Sequence, residues 1–273
     1  MRIEKAGEHV GAIVTEVDAA NLSEADWAAV YRAWLDHGVL VLRGQSLDIE
    51  DFLAYGRRFG RVKPHRVQKA RHPDWPELTV MGKAKKSDGT IDRSIRNRGQ
   101  GWHTDGPWDH EVTKATQLYG IEIPSEGGDT LFSNMYLALE ALPEDLAARI
   151  EGLDACYVYG GAKRHGADLL EAADRNQPPT RYPLVRVHSE TGRRSLYFNP
   201  HHILCIADLP AAESDALIAE LNEHMLAPGA QYRHQWRVGD VVTWDNRCTL
   251  HAAAGGYPVD ESRIHWRCTI MEA

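Results

Sequence analysis

The stretch GWHTDGPW at residues 101–108 places an imidazole and a carboxylate, His103 and Asp105, two positions apart between two tryptophans. In an extended segment, residues i and i+2 point to the same side, so the two side chains can converge on one point. Such a pair can bind a divalent metal, but His-x-Asp also occurs as an ordinary hydrogen-bonded surface pair. Further residues must therefore complete the pair before it indicates a site.

A third candidate ligand lies in WDNRCTLHAAAGGYP at residues 244–258. His251 follows the predicted strand DVVTWDN, in a run of small residues that leaves room around its ring. Two histidines and one carboxylate on one face of a metal leave three coordination positions open, which is typical of non-haem Fe(II) oxygenases. A catalytic zinc hydrolase can use the same ligand set, and His251 can also be a core histidine bonded to a carbonyl.

The segment RIHWRCTIM at residues 263–271 is predicted to be a strand with two different faces. Its even-numbered positions are apolar or cysteine, whereas Arg263, His265 and Arg267 share the other face. The two arginines lie about 13 Å apart along such a strand. A zinc hydrolase has no evident use for two guanidiniums, whereas an oxygenase with a dicarboxylate cosubstrate and an anionic substrate does. The alternative is a pair of surface arginines on an edge strand.

Composition and charge limit the class of protein. The 273 residues are 43% hydrophobic and 26% charged, enough for a globular core, and no linker or repeat divides them, so we expect one domain over residues 1–273. The net charge of -8 argues against a nucleic-acid partner. We expect no membrane partner and a cytoplasmic location, because the sequence has neither a membrane-length apolar run nor a signal-peptide core. The four scattered cysteines are expected to be reduced thiols.

Hydrophobic patterning predicts a mixed α+β fold. Strands are predicted within 10–18, 37–45, 116–123, 184–189, 194–199, 240–246 and 263–271, and helices after Ser23 and near 48–59, 137–150 and 211–226. Many short strands with peripheral helices indicate a barrel or sandwich with an open mouth. Two long polar segments, 81–100 and 160–182, are predicted to flank that mouth as mobile lids.

Taken together, these motifs resemble a known family, the taurine dioxygenase/chlorophenoxyacetate dioxygenase group of Fe(II)/2-oxoglutarate-dependent oxygenases. The likeness covers nearly the whole chain. It includes GVLVLRGQ, RRFG, WHTDGPW, PSEGGDTLFSN, ALEALP, YPLVRVHSETGRRSLYFN, VGDVVTWDNRCTLHAA and the terminal RIHWR. The combination of His-x-Asp, a distal histidine and an arginine a dozen residues further on is a specific one.

The resemblance implies a double-stranded β-helix (jelly-roll) core with peripheral helices and a metal inside its mouth. His103, Asp105 and His251 match the iron ligands of the family. Arg263 matches the arginine that pairs with the distal carboxylate of 2-oxoglutarate, and Thr130 in GGDT matches the hydroxyl that supports it.

For the primary substrate, the resemblance implies a small carboxylate or sulfonate held by Arg267. His65, in FGRVKPH, falls where the taurine enzyme has a pocket histidine. His265 stands where the taurine enzyme has an apolar residue, and we expect it to add a second donor for the substrate. RNRGQG, before the first motif, also departs from that enzyme, which puts taurine itself in doubt. His201 and His202 in NPHH are expected at the pocket rim or on the surface rather than as metal ligands.

The implied reaction uses Fe(II), 2-oxoglutarate and O₂, releases succinate and CO₂, and oxidises a C–H bond of a small-molecule substrate. Asp105 argues against a halogenase, in which the halide takes the place of this carboxylate. Desaturation or cyclisation of a neutral metabolite remains an alternative, as does a silent sensor that only binds metal or 2-oxoglutarate. Family relatives form dimers and tetramers, so a homo-oligomer is expected.

Overall fold

The computed structural model describes residues 1–82, 99, 101–164 and 166–272. In these residues the strands are β1 (Arg2–Lys5), β2 (Ala12–Thr15), β3 (Val39–Leu42), β4 (Arg61–Lys63), β5 (Thr79–Met81), β6 (Thr113–Glu122), β7 (Thr130–Asn134), β8 (Asp154–Tyr157), β9 (Thr180–Pro183), β10 (Val185–Val187), β11 (Arg194–Leu196), β12 (Ile203–Ile206), β13 (Gln231–His234), β14 (Val241–Asp245), β15 (Thr249–Ala253) and β16 (Ile264–Met271). The α-helices are Glu24–His37, Ile49–Arg57, Met135–Glu140, Glu144–Ile150, Ala172–Arg175 and Ala211–His224. The prediction of a mixed α and β fold is confirmed.

The largest sheet has the strand order β1-β2-β3-β14-β6-β16-β4, and β5 also pairs with β16. All its pairings are antiparallel except that of β2 with β3. β16 has β6 on one side and β4 and β5 on the other. The alternative that its arginines lie on an edge strand is therefore wrong.

β3 shows how both faces of this sheet are covered. Leu40 and Leu42 belong to a core that includes side chains of the helices Glu24–His37 and Ile49–Arg57. Val39 and Val41 belong to a second core, which Phe132 of β7 joins from the opposing sheet. A strand buried on both faces has no polar positions, which is why VLVL is continuously apolar.

Two smaller three-stranded sheets, β13-β7-β15 and β12-β8-β9, and the pair β10-β11 complete the β structure. His251 lies inside β15, opposite Phe132 of β7, and not after a strand as the sequence predicted. The run TLHAA gave no alternating signal because its small residues fit both faces of a strand. β15 brings His251 to the interior between the large sheet and the sheet of β7.

Local sequence signals set several helix boundaries. The Ser23 side chain accepts a hydrogen bond from the Asp26 N–H and caps the helix Glu24–His37, as predicted. The helix predicted at 137–150 is two helices, because Pro143 lacks an N–H and disfavours helical geometry at the residue before it.

Of the two segments predicted to be long polar loops, one contains regular secondary structure and the other lies mostly outside the described residues. The segment 160–182 contains a short helix, Ala172–Arg175, and the start of β9. Of the segment 81–100, only residues 81, 82 and 99 lie within the described part, so the lid prediction there falls outside it. Among the described residues, no helix is both long and apolar enough to span a membrane.

Leu40→Ala tests whether the large sheet depends on its helix-covered face. Leu40 is 0% exposed, so its truncation should lower the free energy of unfolding by about 2–5 kcal/mol through lost burial and a residual cavity. Urea unfolding followed by circular dichroism measures this. Val187→Ala, at a side chain that is 61% exposed, is the control and should change the value by about 0.5 kcal/mol or less. Equal effects of the two substitutions would contradict the packing described.

Candidate metal centre and its pocket

His103, Asp105 and His251 come together beside the middle of β15. Each offers one ligand atom, and these three atoms lie within 4.8 Å of one another. The His103 N–H donates to the His251 carbonyl at 2.9 Å, and the His251 N–H donates to the His103 carbonyl at 2.8 Å. This antiparallel bridge gives His103 the extended geometry that turns Asp105, two residues on, to the same side.

Asp105 is buried and its Oδ2 atom has three close neighbours. The Thr116 hydroxyl donates to it at 2.7 Å, Arg267 Nη2 lies at 3.0 Å, and His251 Nε2 lies at 3.8 Å. Burial by itself raises the pKa of this carboxyl, but the Arg267 guanidinium, together with the hydrogen bond from Thr116, outweighs burial and holds the pKa well below its usual range. Asp105 is therefore a carboxylate, the form that binds a cation.

Asn246 fixes the backbone around this carboxylate, and sequence reasoning did not single it out. Its Oδ1 atom accepts from the Asp105 N–H at 3.2 Å and from Trp244 Nε1 at 3.1 Å. Its Nδ2 atom donates to the Thr116 hydroxyl at 3.0 Å, which leaves the hydroxyl proton directed at Asp105. The only sequence signal was an asparagine directly after a buried strand, which is common in turns that bind nothing.

Each of the two histidines can offer a ring nitrogen to a metal. His103 Nδ1 lies 2.7 Å from the Gly101 carbonyl, which can only accept, so Nδ1 is the donor in this contact and Nε2 is the ring nitrogen left for a metal. The His251 ring packs 4.6 Å from the Trp244 ring. Burial, with the neighbouring His103, lowers the pKa of His251 to about 3. A neutral imidazole is the form that binds a metal.

Thr130 and Arg263 lie together at the start of β7. Trp236 Nε1 donates to the Thr130 hydroxyl at 3.0 Å, and Arg263 Nε donates to the Gly128 carbonyl at 2.7 Å. Gly128 has φ +70°, and a Cβ atom there would lie 3.0 Å from Arg263 Cδ, so the GGDT turn requires glycine at this position. Burial lowers the pKa of Arg263 to about 10, and Arg263 forms no ion pair among the described residues.

The other histidines singled out in the sequence differ in burial and in their contacts. The His65 Nδ1 atom accepts from the Val67 N–H at 3.1 Å, and burial, then the charge of Arg267, lowers its pKa to about 4. His202 is buried 4.1 Å from the Trp108 ring, whereas the exposed His201 lies with its ring 6.0 Å from that of His103. His265 is fully enclosed and its ring lies 4.4 Å from that of Trp236.

A second cluster, His188, Asp245 and Cys248, also brings three possible ligand atoms within 4.8 Å. Arg247 already holds both oxygens of Asp245, through Nε at 2.9 Å and Nη2 at 2.7 Å. Burial raises the pKa of the Cys248 thiol well above its usual value. A carboxylate held by a guanidinium and a protonated thiol make this cluster a structural ion-pair network, not a metal centre.

Comparison with known proteins agrees with this geometry. The sequence model of the family described as "Taurine catabolism dioxygenase TauD, TfdA family" matches residues 2–269. The chain belongs to this family. It is an oxidoreductase whose chemistry depends on Fe(II), 2-oxoglutarate and O₂.

Individual relatives are similar over most of their length. An (S)-phenoxypropionate/alpha-ketoglutarate-dioxygenase of Sphingobium herbicidovorans is 34% identical over 268 residues, 95% of this chain and 91% of that protein. An alpha-ketoglutarate-dependent 2,4-dichlorophenoxyacetate dioxygenase of Cupriavidus pinatubonensis is 35% identical over 263 residues, 92% of this chain and 90% of that protein. The crystal structure of AAD-2 in complex with Mn(II) and N-oxalylglycine has a TM-score of 0.80 and 26% identity, and covers 100% of this chain and 97% of that chain.

Thr116→Val tests whether the polar network around Asp105 sets metal affinity. The substitution keeps the shape and removes the hydroxyl that orients the carboxylate, so affinity for Mn(II) should fall by about 10- to 100-fold. Calorimetric titration of the metal-free protein measures it. Thr15→Val, on β2, is the matched control and should leave the affinity unchanged. An unchanged affinity in Thr116→Val would show that Asp105 does not need this partner to bind metal.

Proposed function

We propose that this enzyme oxidises a C–H bond of a small carboxylate or sulfonate, with Fe(II) held by His103, Asp105 and His251. The donor set supports the assignment, because two imidazoles and one ionised carboxylate on one side of a metal leave the other side open to ligands. The Nδ1 atom of His103 is tied to a backbone carbonyl, the support usually found for a metal-binding histidine.

The same proposal assigns Arg263 and Thr130 to the distal carboxylate of 2-oxoglutarate. Arg263 is a buried cation without an ion-pair partner in the described part of the chain, and such a group is costly unless an anion joins it. Thr130 accepts from Trp236 and so turns its own proton away from the indole, toward an incoming oxygen.

The observation that carries the substrate class is the position of Arg267. Its Nη2 atom lies 3.0 Å from the metal-facing carboxylate of Asp105, and a guanidinium has further N–H groups to offer. An acid group bound there lies beside the metal, so the C–H bond nearest the acid group is the one we expect to be oxidised. The phenoxyalkanoate dioxygenases among the relatives act, by their names, on substrates with such an acid group.

When bound, Fe(II) and 2-oxoglutarate supply the oxidising chemistry that converts O₂ and the cosubstrate to CO₂, succinate and an oxidised substrate. The residues of the chain bind and orient the reactants. Arg263 and Arg267 would hold two anions at separate places, because Arg267 contacts Asp105 whereas Arg263 lies against the Gly128 carbonyl. Trp108 packs on His202, whose ring lies 6.5 Å from that of His103, and so adds an apolar side chain near the centre.

A second candidate is a neutral substrate, oxidised, desaturated or cyclised in the same centre. The Arg267–Asp105 contact favours it, because Asp105 already neutralises the arginine. The anionic substrate is preferred here because metal binding draws on the charge of Asp105 and leaves Arg267 without its full partner.

We also propose that the large sheet and the sheet of β7 form a jelly-roll core within one catalytic domain, which the match over residues 2–269 supports. The closure of segments 81–100 and 160–182 over the mouth, a dimer or tetramer, and a cytoplasmic location stay predictions from the sequence.

His103→Ala and His251→Ala should each abolish both Mn(II) binding and 2-oxoglutarate turnover without unfolding the protein, because two ligands cannot hold the metal in place. Calorimetry and succinate formation measure the two losses, and circular dichroism checks the fold. His224→Ala, at the end of the helix Ala211–His224, is the control. Turnover at the wild-type rate in either variant would sink the ligand assignment.

Arg267→Ala tests the substrate class with phenoxyacetate and its neutral amide. The wild type should oxidise the acid at the carbon beside the carboxylate and release phenol, and should prefer the acid to the amide. In the variant, kcat/KM for the acid should fall by about 30-fold or more, since truncating one partner of a buried charge pair costs about 2 kcal/mol or more.

Arg149→Ala, at an exposed ion pair, is the control, and retained Mn(II) affinity shows that Asp105 still functions. The neutral substrate would be favoured if the wild type had equal kcat/KM for the acid and the amide and if Arg267→Ala lowered both values by the same factor.

A further inference from the structure

His265 is a buried imidazole for which the protein supplies no partner. Its side chain is 0% exposed, and neither ring nitrogen has a hydrogen-bond partner among the described residues. A neutral imidazole carries one donor and one acceptor, and leaving both unused in the interior costs free energy. Such a group points to a ligand that completes it.

The neighbours of His265 are the residues assigned above to the cosubstrate. Its ring lies edge-on, at 75° and 4.4 Å, to Trp236, and Trp236 donates to the Thr130 hydroxyl. Arg263 lies two residues earlier, just before β16 begins, and its charge influences the ring more than any other charge does. His265 therefore belongs to the Thr130 and Arg263 side of the pocket.

The charged groups around His265 include a cation, Arg263, for which the described chain provides no carboxylate partner. Burial, then the charge of Arg263, lowers the pKa of His265 well below its usual range, so the ring is neutral and has a single N–H to donate. The carboxylates nearby are engaged elsewhere: Asp129 pairs with Arg233 at 2.8 Å, and Asp240 lies against Arg43 and 3.2 Å from His234. The Arg263 guanidinium and the His265 N–H thus both lack an acidic partner in the described chain.

We propose that His265 donates a hydrogen bond to the distal carboxylate of 2-oxoglutarate, beside Arg263, and so makes the pocket selective for a 2-oxo acid with a second carboxylate. This rests on the proposed function, because it takes Arg263 as the cosubstrate arginine. A carboxylate has about four lone-pair sites, enough for donors from Arg263, Thr130 and His265 together. His265 thereby binds the cosubstrate. The sequence by itself instead predicts that it is a second donor for the primary substrate.

Calorimetric titration of the Mn(II)-loaded protein tests this without turnover. The two ligands are 2-oxoglutarate and 2-oxopentanoate, which has the same metal-binding end but no distal carboxylate. His265→Phe keeps the ring packing on Trp236 and removes the donor, and should weaken 2-oxoglutarate binding by about tenfold or more, or about 1.4 kcal/mol. It should leave 2-oxopentanoate unchanged. His265→Asn, which keeps an N–H donor, should recover part of the 2-oxoglutarate affinity.

Thermal unfolding is a second measurement, and it distinguishes a ligand-binding role of His265 from a role in packing alone. Without ligand, His265→Phe should unfold at the same or a higher temperature than the wild type, since an apolar ring replaces unpaired polar atoms. The increase in unfolding temperature on adding 2-oxoglutarate with Mn(II) should be smaller in the variant. Trp266→Phe, on the opposite face of the same strand, is the control and should keep the wild-type affinity for both ligands.

Arg263→Ala separates this proposal from the one on which it rests. The preference is the ratio of the affinities for 2-oxoglutarate and 2-oxopentanoate. If this ratio falls by tens-fold in Arg263→Ala and is unchanged in His265→Phe, the proposed role of His265 is wrong and the assignment of Arg263 to the cosubstrate is retained. If Arg263→Ala keeps the wild-type preference, the cosubstrate assignment itself fails. Equal weakening of both ligands by His265→Phe would make His265 a packing residue.

Discussion

Two backbone hydrogen bonds between His103 and His251 hold the candidate centre together. They join the loop after residue 99 to β15, although 148 positions separate the two histidines in the sequence. Because backbone pairing sets the spacing of the two imidazoles, the geometry of the site follows from the sheet. Asn246 then orients Asp105 from the adjoining turn, so that all three ligand atoms approach one point.

The centre concentrates positive groups inside a chain whose net charge is -8. Asp105 is the carboxylate in contact with Arg267, and Arg263 has no acidic partner in the described residues. This imbalance suits a pocket that receives a metal and two anions, because each arriving charge is matched by one already in place. By contrast, the buried Arg247 is fully neutralised by Asp245, Glu190 and Glu272, and it stabilises the fold without needing a ligand.

Much of the scaffold was predictable where the signal is local. The cap at Ser23, the apolar run of β3 and the apolar face of β16 (Trp266, Cys268 and Ile270) each depend on neighbours within a few residues, and the structure has them as predicted. Prediction was wrong where the local signal was ambiguous. β15 has small residues that fit either face, and a single proline divides one expected helix into two.

The sequence by itself determined the pairing of His103 with Asp105 and the common face of His265 and Arg267 on β16, because the two-residue period of extended chain fixes both. Only the tertiary structure decided that Asn246 and Thr116 support Asp105, that Arg267 contacts it, and that His265 is enclosed beside Trp236. Those contacts join residues from different strands and turns. Their partners are set by how the sheets pack, which no periodicity within one segment encodes.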